Sequence, residues 1–301
     1  MLVSGFLIAR DLIQQGYPVM EAIVSALPLC DELLISEGFS DDETWPALCA
    51  IQEIYPEKIR LFRDAWHGPT RRGEVIAHMT NVVRLRARGR YCFSLQANEI
   101  LPKGLAAAMR GWPDLFPRQE MFGIRYEQVI GPALLWKQTW RGRFFRNRPY
   151  LVSRGDGASC GRDPWLRLTH PMSFLRRGRV LYQTTEPIRR YRVLFPDCYM
   201  ARMAGQAKVF TEPFLKDQTA AERRHAEAAL QRMARTPKGY DGFWREMASY
   251  FDNRGPVPVT TRAAATVAPL IAPLVGDWSY DWRKSVARLS KADASRDPKP
   301  T

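Results

Sequence analysis

Four short apolar runs, LVSGFLIA, ELLISEG, KIRLF and YCFSL, are separated by stretches in which apolar groups recur at helical intervals. Strands that alternate with helices at this spacing cannot be joined as hairpins. Each helical crossover returns the chain in the same direction, so the pattern predicts an α/β fold with a mostly parallel central sheet and flanking helices on both faces. YPVMEAIVSALPLCD places Val19, Ile23, Ala26 and Leu27 on one helical face, and Pro18 suits its first turn. In SDDETWPALCAIQEIYP, Ser40, Asp41 or Asp42 is expected to cap a helix that Pro56 ends. RRGEVIAHMTNVVRLRARG predicts a helix of about four turns, with Val75, Met79, Val82 and Val83 as its apolar face and Gly89 as its exit.

Such sheets bind ligands outside the carboxyl ends of their strands, near a reversal of strand order. That rule assigns the chemistry a place before any motif is considered. Beyond Pro102 the pattern loosens. LPKGLAAAMRGW offers a short amphipathic helix, while FGIRYEQVIG and RGRFFRNRPYLVS suggest strands of an α+β extension built against the end of the sheet. Residues 220–236 are strongly helical in composition. These shifts divide the chain into a first domain over 1–210, a mostly helical extension over 211–290 and a flexible polar tail over 291–301.

With 301 residues, 46% of them hydrophobic, the chain can bury a large core. Its net charge of +14 is uneven: residues 1–60 hold 3 basic and 10 acidic side chains, whereas Lys137 to Arg192 hold 14 basic and 3 acidic ones. Such a field attracts phosphates, nucleic acid or an anionic membrane surface, although a solvated basic face accounts for it equally. The five cysteines are widely spaced without a CxxC pair, which points to free thiols in a reducing compartment. Four scattered histidines suggest no zinc site. Met1 to Leu12 lacks the basic leader of a signal peptide, and TVAPLIAPLVG, with two prolines, is about half a membrane span.

Three places could carry chemistry. GFSDDET follows a strand, and its carboxylates and hydroxyls could receive a nucleobase or ribose; a capped strand-to-helix turn explains the same residues. Gly73 and Asn81 lie on or beside the third helix, with Arg71 and Arg72 preceding it as a diphosphate-facing pair or an exposed basic turn. QANE, Gln96 to Glu99, ends the fourth strand. A carboxylate pair there could hold a divalent cation against two phosphate oxygens, but only Glu99 brings a charge, and amide oxygens bind hard cations less strongly.

Taken in order, LVSGF, YP..EAIVSALPLCDELLISEGFSDDET and MTN......ARGRYCFSLQANE resemble the family 2 glycosyltransferases of the GT-A fold. The resemblance is greatest to bacterial and phage-associated members with a QADE-type metal motif. It covers roughly residues 3 to 101, with a fainter continuation through about 122 to 159. It implies a nucleoside diphosphate sugar donor, Mn²⁺ or Mg²⁺, and a glycan, lipid-linked or other acceptor. It places Gly5 and Arg10 beside the nucleotide, Glu37, Gly38, Ser40 and Asp42 around base and ribose, and Gly73 and Asn81 on the helix before the metal strand. Gln96, Asn98 and Glu99 fall on the metal motif, with Asn98 and Glu99 as ligands. Arg143 and Arg146, with Asn147, match a basic RxxRN pattern facing the leaving group, and Asp156 matches a downstream acidic position.

Asp156, Glu120 and Glu99 are the catalytic carboxylate candidates. Two departures stand out. Asn98 replaces the aspartate that normally touches the metal, and RRYRVLF, Arg189 to Phe195, lacks the histidine of a His-Tyr-Gly-like segment. A binding or assembly protein retaining the fold is therefore an alternative to an active transferase. WKQTWRGRFFRNRPY also has the aromatic and basic texture of a nucleic-acid binder, although Trp136, Trp140, Phe144 and Phe145 at these spacings fit a packed core better. The expected location is cytoplasmic, with peripheral contact at the inner membrane surface.

Overall fold

In the computed structural model, the described residues are 3–70, 73–130, 134–155, 160–162, 180–193, 196–209, 220–231 except 222 and 230, and 280–294. The N-terminal third follows the alternation in the sequence: β1 Val3–Ala9, α1 Val19–Ala26, β2 Glu32–Glu37, α2 Thr44–Ile54, β3 Ile59–Arg63, α3 Glu74–Arg84 and β4 Tyr91–Ser94. Next come β5 Glu99–Ile100, α4 Lys103–Leu115, β6 Met121–Ile130, β7 Leu134–Arg146, β8 Leu151–Ser153, β9 Cys160–Arg162, β10 Val180–Val193, α5 Pro196–Val209 and α6 Trp282–Ala294. Residues 223–229 are helical, inside the stretch expected to be so.

Among the described residues, eight strands form one sheet in the order β3-β2-β1-β4-β7-β6-β10-β5, and β8 and β9 form a second, two-stranded one. Parallel pairing joins β3 to β2, β2 to β1 and β1 to β4. From β4 onward the sheet turns mixed: β7 is antiparallel to both β4 and β6, β10 is parallel to β6, and β5 runs antiparallel to β10. The expectation of a mostly parallel sheet thus holds for one half only. The α+β extension is the continuation of the same sheet, because β7 takes the free edge of β4 through hydrogen bonds a separate layer could not supply.

Both faces of β1 are buried, as its nearly unbroken apolar run requires. Val3, Leu7 and Ala9 join the larger core with α1 and α4, while Phe6 and the partly buried Ile8 join a smaller one with Val83 of α3 and Leu151 of β8. Tyr91, Phe144, Phe122 and Trp112 form a chain of ring contacts with centroids 5.3–5.6 Å apart. Each buried ring of this kind stabilises by about 2–3 kcal/mol through area alone. Phe144 and Phe145 are the core residues expected, whereas Trp140 is 40% exposed; the Trp136 side chain lies outside the described residues.

Three local expectations change. α3 has 11 residues, about three turns, and its C-cap is Leu85. Gly89 serves instead as a close-approach position, where an added Cβ would lie 2.5 Å from the Ser4 backbone nitrogen. α6 runs to Ala294, beyond the expected start of the tail, and packs on α1 and α2 through Tyr280, Trp282, Val286 and Leu289. The TVAPLIAPLVG stretch and residues 295–301 lie outside the described residues. No described helix is long and apolar enough to cross a membrane, and Cys30, Cys49, Cys92 and Cys198 are not in disulfides. Burial pushes the Cys30 thiol up to about 12.

Candidate functional site at the carboxyl edge of the sheet

β1, β2 and β4 are parallel, so the loops after Ala9, Glu37 and Ser94 leave from one edge. From β1 the chain passes to β2 on one side and, after β3, to β4 on the other. This is the reversal of strand order at which open α/β sheets leave a crevice.

The GFSDDET turn is clasped to the loop that follows β1. Asp11 N donates to Ser40 Oγ at 2.8 Å, Leu12 N to Thr44 Oγ1 at 2.8 Å and Gln14 N to Asp42 Oδ2 at 2.8 Å. In return Asp41 N donates to Asp11 Oδ1 at 2.9 Å. Ser40 and Asp41 therefore do not cap α2; Asp42 Oδ1 accepts from Thr44 N, while Glu43 occupies the N-cap position without a side-chain bond. Asp11 has φ 53° and Phe39 φ 54°, left-handed values that cost non-glycine residues energy and persist where surrounding bonds fix the loop.

Above this clasp lies an aromatic and cationic ledge. The Trp66 indole packs against Gly38, where an added Cβ would lie 2.4 Å from its Nε1. The Arg10 guanidinium sits 5.7 Å from the Trp66 ring centroid. Arg63 lies 4.3 Å from the centroid of Phe39 and 4.8 Å from that of Trp45, and its Nε donates to the fully buried Glu37 at 2.8 Å. Phe39 remains 50% exposed, a flat apolar surface beside a fixed cation at the strand edge.

At the end of β4, QANE faces the protein interior. Glu99 is fully buried. Its Oε1 accepts from Arg143 Nη2 at 3.0 Å; its Oε2 accepts from Gln96 N at 3.0 Å and from the Tyr126 hydroxyl at 3.4 Å. Arg143 is 1% exposed and also donates to Ser94 Oγ at 3.1 Å. Burial, reinforced by Glu99, holds the Tyr126 phenol well above its ordinary pKa, so it stays a neutral donor. Asn98 is locked to β10: its Nδ2 donates to the Tyr191 carbonyl at 2.8 Å, and its own carbonyl accepts from Tyr191 N at 2.8 Å.

These residues do not fit a divalent cation. Hard cations need several oxygen ligands, usually more than one of them anionic. Here the single carboxylate has both oxygens engaged, the Asn98 amide is engaged by β10, and only Gln96 Oε1 is a buried oxygen without a hydrogen-bond donor. Arg143 stands against the same carboxylate. At an effective dielectric of about 20, a dication about 5 Å from a guanidinium is repelled by about 6–7 kcal/mol. Among the described residues no three His, Cys, Asp or Glu side chains group as metal ligands. The metal and catalytic roles expected of Glu99, and the metal role expected of Asn98, find no support in this arrangement, in which both side chains tie strand ends together.

The remaining expected residues disperse. Gly5 lies in the middle of β1, where a Cβ would meet Cys30 Sγ at 2.6 Å, so its smallness serves packing. Gly73, φ 65°, precedes α3. The Asn81 amide brackets Ser153 of β8, donating to its carbonyl at 2.9 Å and accepting from its N–H at 2.8 Å. Arg146 and Glu120 lie at the opposite edge, because Arg146 pairs in register with Tyr91, the first residue of β4. There Arg146 donates to the carbonyls of Gln119 and Pro117, and Glu120 is buried and accepts from the Tyr150 hydroxyl at 2.5 Å. Neither reaches the carboxyl edge. Asp156, Arg71 and Arg72 lie outside the described residues.

The residues that sequence reasoning missed come from the distant half. Arg190 stands opposite Glu99 in the β10–β5 pair, and Tyr126 and Arg143 arrive on β6 and β7. Buried Arg202 of α5 lies 6.0 Å from the Tyr17 ring centroid. RRYRVLF, marked by its missing histidine, contains Arg190; that departure was the available signal.

No family model and no curated protein sequence matches the chain. Among solved structures, it is similar to S. aureus TarS 1–349 in complex with UDP-GlcNAc, at 14% identity and TM-score 0.42 over 98% of this chain and 91% of that one. It is similar to mannosyltransferase PcManGT from Pyrobaculum calidifontis in complex with GDP-Man and Mn²⁺, at 14% identity and TM-score 0.39 over 98% and 86%. A third is glucosyl-3-phosphoglycerate synthase from Mycobacterium tuberculosis in complex with Mg²⁺ and UDP, at 12% identity and TM-score 0.37 over 70% and 81%.

Proposed function

We propose that this chain is a family 2-like glycosyltransferase of the GT-A fold, moving a sugar from a nucleoside diphosphate sugar to an acceptor hydroxyl. The observation that supports this reading best is the sharing of one carboxyl edge by Arg10, the Glu37–Asp42 turn and the Gln96–Glu99 turn, beside the reversal of strand order. The order of motifs in residues 3 to 101 supports it independently. In this reading the nucleobase lies against the ledge of Phe39, Arg63 and Trp45, and the diphosphate points toward the end of β4. The acceptor oxygen attacks the anomeric carbon in line with the departing diphosphate, and a base removes its proton. Asp156 is the candidate base, since Glu99 is engaged and Glu120 lies at the far edge.

One observation favours a second reading, a fold kept for binding or assembly: the polar groups of the metal motif are occupied within the protein. A thermal-shift panel of nucleoside diphosphates and their sugars, with Mn²⁺, Mg²⁺ or chelator, followed by assay of donor cleavage, separates the two. The transferase reading expects stabilisation by one nucleotide class and release of that nucleoside diphosphate from its sugar. Stabilisation without release leaves the binding reading. No response to any nucleotide, with salt-dependent retention of random oligonucleotides, overturns both.

A further inference from the structure

We infer that the carboxyl edge holds a diphosphate with a built-in guanidinium cluster centred on Arg190, so that donor binding requires no divalent cation. The identity of that diphosphate as a nucleotide rests on the transferase reading above; the anion site itself rests on the geometry.

Arg190 lies directly opposite Glu99 across the antiparallel β10–β5 pair, and residues so placed carry their side chains on one face. Glu99 already gives three of its about four acceptor sites to Arg143, Tyr126 and the Gln96 backbone, which leaves at most one for Arg190. Arg190 Nε is buried without a hydrogen-bond partner, while part of the residue remains open to solvent. Arg143 is held at the same carboxylate by its 3.0 Å bond to Glu99, and its charge, with that of Arg202, acts against Arg190. Desolvation, with that repulsion, lowers the Arg190 pKa against the opposing pull of Glu99. Arg189, on the other face of β10, likewise has a buried Nε without a hydrogen bond, but Glu127 stands 3.6 Å from it as a counter-charge. Arg143 and Arg190, both brought to the one engaged carboxylate of Glu99, form a site that a polyanion stabilises and a metal cation does not. An ion that neutralises a leaving diphosphate can be replaced by such a cluster, because the requirement is positive charge held in place.

The full-length chain is titrated calorimetrically with inorganic pyrophosphate, UDP and GDP, in EDTA and again with Mn²⁺. The expected result is binding of pyrophosphate and one nucleotide in EDTA, with affinity changed less than about threefold by Mn²⁺. Arg190→Met should weaken both by about tenfold or more, the loss of a charged hydrogen-bond donor, and Arg190→Lys should weaken them less. Binding that EDTA abolishes and Mn²⁺ restores overturns the inference while leaving the transferase reading intact. Pyrophosphate binding in EDTA without any nucleotide binding supports the anion site and overturns the donor reading. Failure of every probe to bind in EDTA overturns the inference. The wild-type EDTA comparison stands even where Arg190→Met does not fold.

Discussion

Two turns at the same sheet edge illustrate different ways of burying polar residues. Glu37 to Thr44 is tied to a neighbouring loop mainly by backbone N–H groups: Ser40, Asp42 and Thr44 accept from Asp11, Gln14 and Leu12. Gln96 to Glu99 is tied to strands from the other half of the chain, through Arg143, Tyr126 and Tyr191. The first arrangement uses many neutral or singly charged bonds near the surface. The second concentrates an ion pair where water is excluded, and its integrity depends on every partner being present.

The largest expected effect tests the buried pair. Arg143→Met leaves Glu99 charged and without its main partner, and should cost about 3–5 kcal/mol in urea denaturation. Adding Glu99→Gln should recover a large part of that loss; a single-variant cost below about 1 kcal/mol removes the contrast between the turns. Thr44→Val keeps shape but withdraws the acceptor of Leu12 N and, at 3.4 Å, of Ile13 N. It should cost about 1–3 kcal/mol, and amide exchange at Leu12 should accelerate.

A third prediction concerns acid. Glu32 is hydrogen-bonded by Ser4, the Arg88 backbone and Arg60; burial alone would raise its pKa, but these bonds bring it below the ordinary value. Two hydrogen bonds from Arg86 lower that of Asp64. Both carboxylates hold fewer protons folded than unfolded. Their stabilisation is complete above the unfolded pKa, about 4, and is lost as pH falls through the lower folded values. Melting temperature should therefore drop below about pH 4, and Glu32→Gln should make that descent shallower. The smallest effect is expected at Glu43, which pairs with Arg283 on the exposed surface. Glu43→Ala should shift the melting temperature little, and 0.5 M salt should erase the difference.

The parallel half of the fold was legible because its strands and helices announce themselves by local period, and because strand ends in such sheets share an edge. This logic placed the GFSDDET turn on that edge, and the family resemblance added Glu37 to it. The metal reading of QANE goes unsupported for a physical reason. Whether Glu99 faces a cation or an arginine depends on Arg143, 44 positions away, and no local pattern encodes which strand will lie alongside. The positions of Glu120 and Arg146 have the same cause: β7 runs opposite to β4, so two arginines three residues apart reach different regions, Arg143 toward Ser94 and Arg146 toward Pro117.

Glu21, on α1, draws its partners from far along the chain: the Tyr280 hydroxyl at 2.8 Å, Ser285 at 2.5 Å and Arg288 at 3.1 Å. During synthesis the first helix therefore emerges with a carboxylate whose counterparts are still untranslated. Its final seating must wait until the ribosome has passed Arg288, leaving an interval in which chaperones can engage that flank of the nascent chain.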